Sequence, residues 1–305
     1  MNNPAELRTR YTFVESRKQH KRGGPSKTTR HDAWSPKDLW ERLKVQRYAT
    51  EVKKRFIYLR SIDPVRAIIC CVASPEPERM SLAQFFDRHG KSKPYLYDDT
   101  AVAFNLWVTE VCFQFFYKLK DGQKPPDIKD AVIFGKLNPS GRTPYLVNLP
   151  TGFRIVGDFF DRYWTCHCIN NAIDDADDTS SRADVYGGNS EWQQRKVLEL
   201  VLLSRILEKV RASTENILDE VERKPNEKQN SIFEDVYDSL EDRSSESVCE
   251  CERILLLLKM NLISMREAID QWDIRESSRG REQLRWTRLD EQKYRKFNQA
   301  EGICV

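Results

Sequence analysis

Long apolar runs are missing from this sequence: the longest clean aliphatic stretch, residues 254–258, falls far short of the roughly 20 residues a bilayer-spanning helix needs. No apolar stretch follows the opening Met1-Asn2-Asn3-Pro4, so a secretory signal peptide is not expected. Histidine is scarce, at four residues, and two of these, His20 and His31, stand in a basic N-terminal stretch. A Cys–His nucleophile pair would therefore have to use His89 or His167. There is no Gly-x-Ser-x-Gly elbow, no Walker loop and no Gly-x-Gly-x-x-Gly following a strand, so neither serine-nucleophile chemistry nor nucleotide binding has motif support. Net charge is also small, at +3, which by itself implies neither nucleic acid nor an acidic membrane as partner.

What is present fits an intracellular globular chain. At 305 residues a sizeable core is possible without disulfides. The eight cysteines include Cys70-Cys71, Cys166/Cys168 and Cys249/Cys251, spacings too short for ordinary structural disulfides, so free thiols in a reducing, cytoplasmic setting are expected, with the nucleus not excluded. Charged residues at 32% against 39% hydrophobic place the chain on the polar side of globular average, as exposed charged helices or a solvated tail would.

Four parts can be read along the chain. Residues 1–33 carry Arg8, Arg10, Arg17, Lys18, Lys21 and Arg22 around Gly23-Gly24-Pro25 and read as a basic disordered arm. Residues 34–173 read as an α/β region. Ser35-Pro36 opens a helix with Leu39, Leu43 and Tyr48 inward, and residues 80–88 form a second, short one. The apolar run 66–73 reads as a buried strand, and 101–119, crowded with β-branched and aromatic residues, as another. Residues 131–134 and 145–149 flank the turn formers Asn138-Pro139-Ser140-Gly141 and are expected to pair antiparallel. An acidic loop, 174–190, separates this region from a helical one, 191–305.

In the helical region Leu200, Leu203, Leu207, Val210, Ile217 and Val221 repeat at steps of three and four, as do Leu255, Leu258, Leu262, Met265, Ile269 and Trp272. The spacing predicts long helices over 191–222 and 248–275, packed as an antiparallel hairpin or used as a self-association seam. Between them, 224–247 reads as a solvated acidic connection with a short helix near 232–240. The fold class expected is therefore α/β (α+β): a mixed sheet with flanking helices, then a long antiparallel helical hairpin and a stalk-like helix over 287–299.

Sites are few. Cys166-His167-Cys168 puts three metal-ligand types side by side, but neighbours on an extended chain point to opposite faces, against the usual zinc spacing. Asp174, Asp175, Asp177 and Asp178 could hold a hard cation such as Mg²⁺, weakly and without selectivity, since the glycine and distal glutamate of an EF-hand loop are absent. Paired carboxylates occur only in highly charged segments, where perturbed acidity is least expected. No catalytic residue and no cofactor is assigned, and a non-enzyme is expected.

Three stretches resemble the fungal CorA-like proteins, relatives of CorA-type Mg²⁺ transporters. Phe159-Phe160-Asp161-Arg162-Tyr163-Trp164-Thr165-Cys166-His167 resembles the segment closing that family's N-terminal half. Glu191-Trp192-Gln193-Gln194-Arg195-Lys196-Val197-Leu198-Glu199-Leu200 is similar to the start of its first long helix. Gln271-Trp272-Asp273-Ile274-Arg275-Glu276, followed by Arg279-Gly280-Arg281-Glu282, Arg285-Trp286-Thr287 and Lys293-Tyr294-Arg295, resembles its stalk approach. The resemblance implies an α/β domain on long helices and ordinary framework roles for Cys166 and His167. The family's pore helices and Gly-Met-Asn signature are absent from the sequence, so the expected role is a non-catalytic cytoplasmic regulatory or scaffold protein, unable to conduct ions alone. It would be either a truncated member or a descendant that lost its membrane part, acting through protein partners or self-association. The alternative is a nucleic-acid-associated protein using the N-terminal basic stretch and the basic residues of 275–296.

Overall fold

The computed structural model describes residues 11–17, 27–33, 35–44, 52–59, 62–91, 94–101, 106–119, 131–133, 145–158, 163–170, 195–232 and 240–282. Strands β1 (Tyr11–Arg17), β2 (Lys27–Ala33), β3 (Val52–Leu59) and β4 (Tyr95–Ala101) come from the first third of the chain. They are followed by β5 (Leu106–Lys118), β6 (Ala131–Ile133), β7 (Tyr145–Asp158) and β8 (Trp164–Asn170). All join one mixed sheet in the order β2-β1-β3-β8-β7-β5-β4, with β6 also beside β7. The β3–β8 pair is parallel, and the other described pairs are antiparallel.

Five helices among the described residues cover the sheet: α1 (Pro36–Leu43), α2 (Pro64–Ala73), α3 (Glu76–Gly90), α4 (Arg195–Ile232) and α5 (Leu240–Glu282). The sheet is a partition between two apolar layers. On one face Leu39, Leu43, Ile57, Leu82, Phe85 and Ile169 close a core with α1–α3. On the other, Phe113, Phe115, Phe153, Trp164, Cys166 and Cys168 meet Leu198, Leu202, Ile206, Met265 and Ala268 of α4 and α5. Alternation along β8 produces this division, sending Cys166 and Cys168 one way and His167 the other, as the extended chain requires.

Several sequence expectations hold locally. Ser35 caps α1: its Oγ accepts from the Asp38 amide at 3.1 Å, while Asp38 Oδ2 accepts from the Ser35 amide at 3.2 Å, with Pro36 at the first helical position. Leu39 and Leu43 are buried beneath it, and Tyr48 lies outside the described residues. Strand β6 pairs antiparallel with β7, Val132 opposite Leu146, although the turn 138–141 lies outside the described residues.

Other expectations are corrected. Residues 66–73 are not a strand but most of α2, because Asp63-Pro64 is a start signal of the same kind as Ser35-Pro36. Asp63 Oδ1 accepts from the Arg66 amide at 2.8 Å, and the apolar run wraps around the helix, burying Cys70 while leaving Ile68 exposed. The segment 1–33, read as a disordered arm, contains β1 and β2. Its β-branched and aromatic residues satisfy strand pairing, and a Lys/Arg-rich strand suits a sheet edge, where charge discourages further pairing. Both long helices exceed their expected bounds: α4 runs on to Ile232, and α5 begins at Leu240 within the segment read as a solvated connection.

The long antiparallel hairpin with a stalk is also overturned. Among the described residues the two helices do not form a separate hairpin layer, because the apolar stripes of both pack on the sheet as well as on each other. Helix α4 packs on β5 and β7, and α5 on β4 and β5. A three-four spacing says that a stripe must be buried but not against what, and here the aromatic face of β5, β7 and β8 receives much of it. The stripe of α5 is also rotated from the one expected. Ile254, Leu258, Met265 and Ala268 are buried, whereas Leu255 and Leu262 are 41% and 42% exposed. The expected stalk, 287–299, lies outside the described residues.

No helix among the described residues is long and apolar enough to cross a membrane.

Candidate functional site

The register of the sheet aligns an unusual row of side chains under α3. Tyr97 stands opposite Glu110, Glu110 opposite Arg154, Arg154 opposite His167, and His167 opposite Ile57. Directly opposed residues project to the same face. Three adjacent strands, β5, β7 and β8, thus bring a carboxylate, a guanidinium and an imidazole together inside an otherwise apolar layer.

Glu110 and Arg154 are both wholly buried. Arg154 Nε donates to Glu110 Oε1 at 3.0 Å, and one Arg154 Nη donates to Ser81 Oγ on α3 at 2.7 Å. The second carboxylate oxygen of Glu110 accepts from Arg88, whose guanidinium also lies over the rings of Tyr95 and Tyr97 at 5.4 and 5.3 Å. Charges in low dielectric persist only when paired and hydrogen-bonded in this way. The pairing is incomplete at its inner end: Arg154 Nη1 and His167 Nδ1 are buried without a hydrogen-bond partner.

Two residues further along β5, Cys112 Sγ lies 3.4 Å from His89 Nδ1, the only described Cys–His contact. Its spacing is that of a nucleophile and base, but its environment is not. Burial, with Glu110 nearby, pushes the Cys112 thiol up to about 12, and burial pushes the His89 imidazole down to about 4. The proton stays on sulfur, the reverse of the thiolate–imidazolium state that a catalytic pair needs. Cys168 is likewise pushed up to about 12 by burial.

The row ends in a cleft of about 720 Å³. Its walls are Trp40, Leu43 and Lys44 at the end of α1, the α2–α3 junction from Val72 to Arg79, and the sheet residues Arg55, Ile57, Thr165 and His167. Gly157 and Tyr163, at the adjoining ends of β7 and β8, also line it. Asp158 Oδ1 accepts from the Tyr163 amide at 3.0 Å, while the Asp158 amide donates to Tyr163 O at 3.1 Å. Gly157 is required there, since a Cβ would fall 2.6 Å from Tyr163 O and 2.7 Å from Trp164 Cβ. His167, at the cleft floor, is driven down to about 3 by burial and then by the neighbouring Arg154 and Arg55, so it is a neutral imidazole.

Of the sequence candidates, His167 and His89 fall in this layer, while Cys166 and Cys168 belong to the apolar core on the other face. Among the described residues no three His, Cys, Asp or Glu side chains gather as a metal site. Asp174, Asp175, Asp177 and Asp178 lie outside the described residues. Glu110, Arg154 and Arg55 went unread in the sequence. The available signal was a single charge inside an apolar strand, as in Val108-Thr109-Glu110-Val111 and Phe153-Arg154-Ile155. The chain matches no protein-family model and no curated protein sequence.

Proposed function

We propose that this protein is a non-catalytic regulatory or scaffold protein that works by self-association, pairing the outward face of α5 with that of a second copy. The observation that carries the reading is a second apolar stripe on α5. Leu256, Met260, Ile263 and Ile274 are all exposed, on roughly the opposite side of the helix from the buried Ile254, Leu258 and Met265. A helix needs one apolar face to cover a sheet, and this one carries two. The stripe is bordered by charges of both signs, Arg253, Lys259 and Arg266 with Glu252 and Asp270, and Glu267 falls within it between Ile263 and Ile274, all exposed. A border of one sign would suit an oppositely charged partner, whereas a mixed one is complementary to itself, as an isologous dimer requires.

The chemistry of the buried layer supports the non-catalytic half of the reading, because its one thiol–imidazole contact is held neutral. The proposed kinship with the soluble part of CorA-like divalent-cation transporters, and a cytoplasmic setting, belong to the same reading and rest on the sequence resemblance. Sedimentation equilibrium of the full chain tests it: a concentration-dependent dimer is expected, and a monomer throughout the micromolar range would overturn it.

A further inference from the structure

We propose that the cleft between α1, the α2–α3 junction and strands β3, β8 and β7 binds a small organic oxyanion, a carboxylate or phosphate ester with an apolar body, whose charged end seats against His167 and Arg55. Four observations converge on this assignment. The cleft volume, about 720 Å³, falls in the range of small-molecule sites. His167 lines its floor, is 1% exposed, and has a ring nitrogen with no hydrogen-bond partner. A buried polar atom left unpaired in a cleft marks the place where a ligand atom would pair with it.

The third observation is charge. Arg55 and His167 project from neighbouring parallel strands, Arg55 opposite Thr165 and His167 opposite Ile57, and Arg154 flanks the same imidazole from β7. Arg79 adds a cation at the wall, its Nε steadied by donating to Ser74 O at 3.1 Å, while Lys44 is already paired with Glu41. The carboxylates lining the cleft, Glu76 and Glu78, both lie in the first turn of α3, away from the sheet strand that carries Arg55. The Arg55 guanidinium supplies the N–H donors, and an imidazole protonated on its unpaired Nδ1 would add one, a set that suits an oxyanion better than a neutral carbonyl.

The fourth is the apolar part of the lining. Trp40, Leu43, Ile57 and Val156 supply apolar surface that a bare inorganic ion would leave uncovered. The ligand is therefore an anion carrying a hydrocarbon or aromatic body, not a free inorganic ion.

The test uses the full chain with labelled histidine, read by NMR of the imidazole rings, with His167→Gln assigning the signal. Inorganic phosphate and phenyl phosphate are the probes. A saturable shift of the His167 ring is expected with both, at lower concentration for phenyl phosphate. His89, which is buried but does not line the cleft, should stay unmoved as an internal control. Arg55→Gln should weaken binding by about tenfold, the loss of one charge-assisted contact, with an unchanged melting temperature. A His167 signal unmoved by either probe, or moved equally in Arg55→Gln, would overturn the proposal. Should Arg55→Gln fail to fold, the wild-type titration with the His89 control still decides.

Discussion

Glu110 and Arg154 stand directly opposite one another on β5 and β7, both wholly buried, with Arg154 Nε 3.0 Å from Glu110 Oε1. Removing either partner leaves a charge in low dielectric with part of its hydrogen bonding lost, which costs about 3–5 kcal/mol. Replacing both with apolar residues of similar volume removes the desolvation cost as well. Arg154→Met and Glu110→Leu should each lower the urea midpoint markedly, and the double variant should lie above both. A double variant at the sum of the two losses would mean that the two side chains are not energetically coupled.

Stability should also depend on acid pH. His89 and His167 titrate near 6.5 when unfolded but are held down to about 4 and about 3 in the fold. Between those limits the unfolded chain binds more protons than the folded one, so stability is full above about pH 6.5 and falls as pH drops through the window. The slope is about 1.4 kcal/mol per pH unit for each imidazole. Glutamine at both positions should flatten this part of the profile in chemical denaturation. An unchanged slope would show that other groups cause it.

Thiol chemistry separates the neutral Cys112–His89 pair from an activated one. Cys71 is half-buried, whereas Cys70, Cys112, Cys166 and Cys168 are buried and free. Brief iodoacetamide treatment of the native chain should therefore label Cys71 ahead of the other four, and Cys112 only after unfolding. Preferential labelling of Cys112 would contradict the inert reading.

The rotated stripe of α5 gives a contrast between two leucines four residues apart. Leu258 packs with Phe116, Leu146, Ile217, Val221 and Ile254, whereas Leu262 is exposed. Leu258→Asp should cost about 3–5 kcal/mol through lost packing and an unpaired buried charge, and Leu262→Asp under about 1 kcal/mol. Thermal melts of the two variants check this directly.

That contrast shows where sequence reading ran out. Ile254-Leu255-Leu256-Leu257-Leu258 puts leucine or isoleucine on every side of the helix, so several three-four stripes fit and only the surface beneath selects one. Local signals fared better. Ser35-Pro36 marked a helix start because its chemistry is complete within four residues, and Asp63-Pro64 carried the same signal beneath an apolar run that read as strand. The buried row was illegible for a different reason. Glu110, Arg154 and His167 come together only through strand register, and register between distant strands is set by the whole sheet. The sequence could offer His167 as a candidate but not the guanidinium beside it.

The outward face of α5 is the central claim, and sedimentation of the Leu256→Glu, Ile263→Glu double variant tests it most directly. Both side chains are exposed and outside the described cores, so the melting temperature of the monomer should be nearly unchanged. The account predicts a monomer at concentrations where the wild-type chain is dimeric. A variant that sediments as the same dimer would contradict it and place the contact on another surface.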